Sequence, residues 1–235
     1  AHVPDLNGFV AGMKILLKPG GVISMEFPHL LRLMQENQFD TIYHEHFSYF
    51  SFLTVSRVFA AHGLTIADVE EVPTHGGSLR IFARHAGAPL TARAAELLER
   101  EAAAGLARLD HYAAFGERVK EVKRNLLDFL IQAKRQGKRI VGYGAPAKGN
   151  TLLNYCGIRT DFLDFTVDLN PHKQGRFLPG SHIPIQAPEQ IVQARPDYVL
   201  ILPWNIKQEI MDQLSEIRAW GGKFVVPIPE VQVLE

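Results

Sequence analysis

From Asp5 to Leu17 the apolar residues Leu6, Phe9, Val10, Met13, Leu16 and Leu17 recur at helical spacing, with Asp5 placed as N-cap. Lys18-Pro19-Gly20-Gly21 ends that helix and turns the chain. Val22–Phe27 reads as a strand, Leu30–Asn37 as a short helix or turn, and Thr54–His62 as a helix closed by Gly63. Two strands follow, Leu64–Val72 and Gly77–Arg84, a hairpin expected at a sheet edge. In the second, Leu79, Ile81 and Ala83 face one way and Arg80, Phe82 and Arg84 the other. Thr91–Gln136 is helical, with a break expected near Gly105 or Gly116. Beyond Lys138, strands (Arg139–Tyr143, Phe162–Asp168, Tyr198–Leu202, Lys223–Pro227) alternate with helices (Lys148–Tyr155, Ala187–Ala194, Ile206–Trp220). Such alternation implies a parallel sheet with right-handed crossovers. The pattern divides an α/β chain into residues 1–90, a helical bridge over 91–137, and a second α/β unit over 138–235.

The 235 residues are 46% hydrophobic and 21% charged with no formal net charge, so nothing in the charge balance favours a nucleic-acid or membrane-surface partner. No apolar run is long enough to span a bilayer. Cys156 is the single cysteine, which excludes an internal disulfide and a cysteine-based zinc site and fits a reducing, cytoplasmic compartment. Ala1-His2-Val3-Pro4 carries no signal-peptide pattern and reads as mid-sequence.

Two constellations carry candidate chemistry. Tyr43-His44-Glu45-His46 sets a phenol, a carboxylate and two imidazoles side by side. A neutral imidazole suits removal of a proton from carbon, a carboxylate can orient it, and a phenol can donate to an enolate oxygen. Metal binding by the two histidines and the glutamate, and an aromatic loop with satisfied histidines, are the competing readings. The second constellation is Gly142-Tyr143-Gly144-Ala145-Pro146-Ala147-Lys148-Gly149-Asn150, a strand running into a glycine turn and a helix start. Free amides and Lys148 favour an anion there, whereas a tight turn serving packing alone is the plainer alternative. Asp168, Asn170 and Lys173 end the next strand, where they are placed to meet a ribose, base or phosphate or to form an exposed turn. Gly76-Gly77-Ser78-Leu79-Arg80 is a weaker signal, a hairpin turn or a phosphate contact through Arg80.

With Glu26-Phe27-Pro28-His29-Leu30, Tyr43-His44-Glu45-His46-Phe47-Ser48-Tyr49 and His75-Gly76-Gly77-Ser78-Leu79-Arg80, these motifs form an ordered set over nearly the whole chain. The set resembles the S-adenosylmethionine-dependent sugar C-methyltransferases, typically acting at C-3 of a dTDP-4-keto-deoxysugar. The resemblance implies a partial Rossmann-like methyltransferase sheet carrying the catalytic loop over 1–90, the helical bridge, and a Rossmann-like domain binding a nucleotide-diphosphate sugar over 138–235. It implies His46 as the base at sugar C-3, with Tyr43 and Glu45 in support and His2 as a second active-site histidine. It further implies Gly144, Ala145, Lys148 and Asn150 around the nucleotide diphosphate, and no metal in the chemical step. The family's amino-terminal zinc-binding region and its early glycine loop for S-adenosylmethionine have no counterpart in these residues. The donor site is therefore expected to be incomplete and the chain to be inactive alone. A non-catalytic nucleotide-binding module and an NAD-dependent oxidoreductase are the alternatives.

Overall fold

The computed structural model describes all of residues 1–235. The chain forms two compact units, residues 1–36 with 44–115 and residues 37–43 with 116–235. The division between residues 115 and 116 falls inside the predicted helical stretch 91–137.

The first unit begins with α1 (Leu6–Leu16), capped as its sequence predicts: the Asp5 carboxylate accepts from the Gly8 amide at 2.9 Å. Then come β1 (Ile23–Pro28), α2 (Leu30–Gln35), α3 (Phe52–Ala61), β2 (Leu64–Val72), β3 (Ser78–His85) and α4 (Ala92–Ala104). The sheet is antiparallel, in the order β1-β3-β2. The expected hairpin forms one side of this sheet, with β2 as its edge strand and β1 paired on the far side of β3. The alternation in β3 explains its central place. Leu79, Ile81 and Ala83 are wholly buried, whereas Arg80 and Arg84 are exposed. Phe52, Leu64 and Leu97 complete this core, so α4 is packed into the unit. The helical stretch breaks at Gly105, which ends α4 with φ +88°, and Gly116 stays inside α5 (Leu109–Arg135).

In the second unit β4 (Ile140–Tyr143), α6 (Ala147–Cys156), β5 (Thr166–Val167), β6 (Ile185–Gln186), α7 (Glu189–Ala194), β7 (Tyr198–Ile201), α8 (Lys207–Gln213), β8 (Lys223–Val226) and β9 (Gln232–Leu234) follow in turn. The sheet order is β6-β5-β4-β7-β8-β9, parallel except for β9. Val141, Val199, Leu200, Ile201, Phe224 and Val225 are fully buried, as strands covered on both faces require. The chain moves outward from β4 through β5 to β6 and then returns to β7 on the other side of β4. That reversal makes the carboxyl ends of β4 and β7 a topological switch point, where ligands bind in sheets of this kind. Two expectations are corrected. The strand over Phe162–Asp168 shrinks to Thr166–Val167, because Phe162 and Leu163 turn back to the Arg159 carbonyl. The helix over Ile206–Trp220 breaks at Leu214 into α8 and a 3₁₀ turn, Ser215–Trp220.

Candidate functional site

Each unit brings part of the predicted set together. In the first, the loop after residue 43 turns at His44 and Glu45, both exposed, and half-buries His46. The Phe47 amide donates to the Ala1 carbonyl at 2.8 Å, which ties this loop to the start of the chain. That tie sets the His2 and His46 rings 5.0 Å apart, centroid to centroid, at 33°. Tyr49 meets His46 edge-on at 5.8 Å, and its ring packs against Leu31, Leu33, Met34 and Leu106. His2 also borders an apolar cavity of about 180 Å³ lined by Phe27, Phe50, Phe59 and Ile81, with Glu26 as the carboxylate among its walls. Thr74 donates to Glu26 at 2.5 Å and Arg80 at 2.9 Å. Those bonds, Thr74's first, hold the Glu26 carboxyl below its ordinary range, so it is a firm anion beside the cavity. Arg80, read from sequence as a phosphate contact, is engaged by Glu26 and lies 3.9 Å from Glu70. Glu45, expected to orient His46, makes no hydrogen bond to it. Tyr43 closes the segment that belongs with the second unit.

The anchor of this loop went unread in the sequence. Glu101 on α4 is wholly buried and takes three donors: His29 Nε2 at 2.7 Å and the amides of Phe52 at 2.8 Å and Leu53 at 2.7 Å. It thereby caps α3 from outside that helix. Neither Glu101 nor His29 announces this in the sequence, because 72 residues separate them.

In the second unit the glycine turn lies at the switch point. Gly144 has φ +88°, and a Cβ there would stand 2.7 Å from Pro203 Cδ, so the β4 and β7 ends approach as only glycine permits. Gly142 is held close to Thr166, whose hydroxyl donates to the Gly144 carbonyl at 2.8 Å. Asp168 accepts from the Ala145 amide at 2.7 Å, the Asn170 amide at 2.9 Å and the Lys173 ammonium at 3.1 Å. Lys173 also donates to the Ala145 carbonyl at 2.9 Å. The predicted residues Ala145, Asp168, Asn170 and Lys173 therefore form one network that braces the turn. Asn150 lies on the first turns of α6, and its Oδ1 is buried without a hydrogen-bond partner.

Lys148 meets residues that no motif joins to it. Its ammonium donates to Asn205 Oδ1 and lies 4.4 Å from the Trp204 ring centroid. The Trp204 indole N–H donates to Asp40 Oδ2 at 2.7 Å. Asp40 comes from the segment 37–43, where Phe39 also packs on Tyr155 of α6 with centroids 5.1 Å apart. Burial pushes the Asp40 carboxyl up to about 7, against the pull of the Trp204 hydrogen bond and the Lys148 charge. Burial likewise lowers the Lys148 ammonium, with Asp40 opposing.

A profile described as the C-methyltransferase C-terminal domain matches residues 73–229, about two thirds of the sequence. The chain belongs to the C-methyltransferase family. Within it, the C-methyltransferase NovU of Streptomyces niveus is 42% identical over 236 aligned residues, covering 100% of this chain and 56% of NovU. The chain thus spans little more than half the length of that relative. Methyltransferases of this kind use S-adenosylmethionine. The motif resemblance seats that donor on a glycine loop of the methyltransferase region, and no strand of the first unit runs into such a loop and a helix start: β1 runs through His29 into α2 without glycine, and β3 runs into the Ala86–Gly87 turn, short of α4. The residues around His46 therefore do not fit the donor's cradle. No helix is long and apolar enough to cross a membrane.

Proposed function

We propose that this chain handles the methyl acceptor of an S-adenosylmethionine-dependent C-methyltransferase, and that the acceptor is a nucleotide-linked 4-keto-deoxysugar methylated at C-3. The carrying observation is the His2–His46 imidazole pair beside the apolar cavity and the Glu26 anion, in a chain of the C-methyltransferase family. A C–H next to a ketone is acidic enough for a neutral imidazole to remove when the enolate oxygen is met by a donor. His46, half-buried and held between His2 and Tyr49, is the base in this reading. His44 is exposed and makes no such contacts. Tyr43 is the proposed donor to the enolate, and Glu45 a supporting group. In the second unit the start of α6, with Lys148 and Asn150, takes the diphosphate handle, and the Asp168–Lys173 network keeps the glycine turn in shape.

The oxidoreductase alternative loses its main support here. An acid at the end of the second strand serves NAD by meeting ribose hydroxyls. Asp168 instead spends both oxygens on Ala145, Asn170 and Lys173. The binding-module reading keeps one argument, the lack of fit between the first unit and the methyl donor.

Exchange of the substrate's C-3 hydrogen with deuterated solvent isolates the proton-removal step from methyl transfer. With the substrate supplied, His46→Gln should slow that exchange by about 10²- to 10⁴-fold, the usual contribution of a general base. Unchanged exchange in the variant overturns the assignment of His46.

A further inference from the structure

The reaction assigned to the first unit leaves the Asp40–Trp204–Lys148–Asn205 cluster of the second unit without a role. Resting on the reading that Lys148 meets the substrate's diphosphate, we infer that Asp40 is a positioning residue whose carboxylate holds Trp204 and Lys148 ready and takes up a proton when the diphosphate arrives. The class of ligand is a nucleoside diphosphate ester.

The geometry carries the argument. Asp40 has no exposed surface, one oxygen bonded to the Trp204 indole, and a second oxygen with no hydrogen-bond partner. A buried carboxylate in that state is costly; the backbone amides of Asp40 and Thr41 ease the cost, and the field of a nearby cation eases it further. Lys148 on α6 is the cation that faces it, held against the same indole ring. On the side of α5, Arg118 engages Asn37 at the start of the segment, at 3.4 Å. On the side of β7, the neighbours Trp204 and Asn205 carry no charge.

An incoming diphosphate bonds Lys148 and so removes that support. It also adds negative charge close to the carboxylate. Both effects favour the neutral acid. The balance is simple: Asp40 carboxylate plus one proton from the buffer gives the carboxylic acid, and no other bond changes. Because Asp40 titrates near 7 in the unliganded chain, about half of the molecules carry the proton beforehand at that pH. Binding should therefore draw in about half a proton at pH 7 and close to none at pH 5.

Titration calorimetry of the full chain with dTDP-glucose, in buffers of different ionisation enthalpy, measures this number. The ligand is suitable because its diphosphate is a diester with no proton of its own to exchange near neutrality. Asp40→Asn should abolish the uptake while binding persists. Trp204→Phe keeps the ring over Lys148 but removes the indole N–H. It should leave Asp40 more protonated beforehand and lower the uptake at pH 7, and it serves if Asp40→Asn fails to fold. Binding whose heat is the same in every buffer, or uptake that survives in Asp40→Asn, overturns the inference and leaves the Lys148 reading standing. No binding at all by the wild-type chain overturns both.

Discussion

Asp40 and Glu101 are both carboxylates without exposed surface, and they meet burial in different ways. Glu101 fills its acceptors with an imidazole and two backbone amides. Removing it by Glu101→Ala strands three donors at once, two of them buried, and the loss should be about 3–5 kcal/mol in denaturant unfolding. Glu101→Gln keeps one acceptor and should lose distinctly less; equal losses would show that the donors find other partners. Asp40 has the indole N–H and a lesser pull from the amides of Asp40 and Thr41, too little to offset burial, so its cost appears as a pH dependence instead. Its ordinary value of 3.8 applies to the unfolded chain and about 7 to the folded one. Below the first value both states are protonated, and above the second both are ionised. Between them the folded state holds a proton that the unfolded state has released, so stability falls as pH rises through about 4 to 7. Asparagine cannot titrate. The melting temperature of the wild type minus that of Asp40→Asn should therefore drop across that window and level off above it. A difference that stays constant from pH 4 to 8 would place the Asp40 carboxyl at its ordinary value.

Two glycines in helices show how packing decides the sign of one substitution. In α6, a Cβ at Gly149 would lie 2.8 Å from Leu202 Cβ at the end of β7. In α5, a Cβ at Gly116 meets nothing within 4 Å. Alanine is the better helix former by about 1 kcal/mol, so Gly116→Ala should stabilise by roughly that much. For Gly149→Ala the same gain meets an overpacking cost of about 1–3 kcal/mol, and the net should be destabilising. Paired denaturant curves test the contrast, and a stabilising Gly149→Ala would mean that α6 shifts freely off β7. The sequence made both helices plain, through Leu152 and Leu153 in one and Val119, Val122, Leu126 and Leu130 in the other. It also made β3, β7 and β8 plain, since alternation or an unbroken apolar run leaves little choice. It did not make β6 or β9 plain, because strands of two and three residues are defined by their partners' register and not by their own pattern. The site divides in the same way. Gly142, Gly144, Asp168 and Lys173 lie near one another along β4 and β5, and their shared turn is readable. The Asp40–Trp204 bond joins residues 164 apart and has no local signature.

At the scale of the molecule, the segment 37–43 matters because the chain lends it to a unit formed otherwise by residues 116–235. Asn37 donates to the Pro229 carbonyl at 3.2 Å, Phe39 is buried against the Tyr155 ring, and Asp40 accepts from Trp204. A fragment of residues 116–235 keeps the whole parallel sheet and α6 but loses these three attachments. Tyr155 and Trp204 would gain exposure, and the indole N–H would lose its acceptor. Uncovering one aromatic contact alone costs about 1–2 kcal/mol of apolar burial. Against this runs the relief of deleting a buried, half-satisfied carboxylate, which is largest above pH 7, where Asp40 is ionised. The two effects predict a pH-dependent outcome. At pH 5, where Asp40 is neutral in the intact chain, the fragment should melt below the same unit in the full chain. At pH 8 the gap should narrow. Tryptophan fluorescence follows both, with Trp220 as the internal reference, its indole bonded to the Pro196 carbonyl at 3.0 Å in residues the fragment retains. A fragment that matches the full chain at every pH would show that the borrowed segment lies on the second unit without stabilising it.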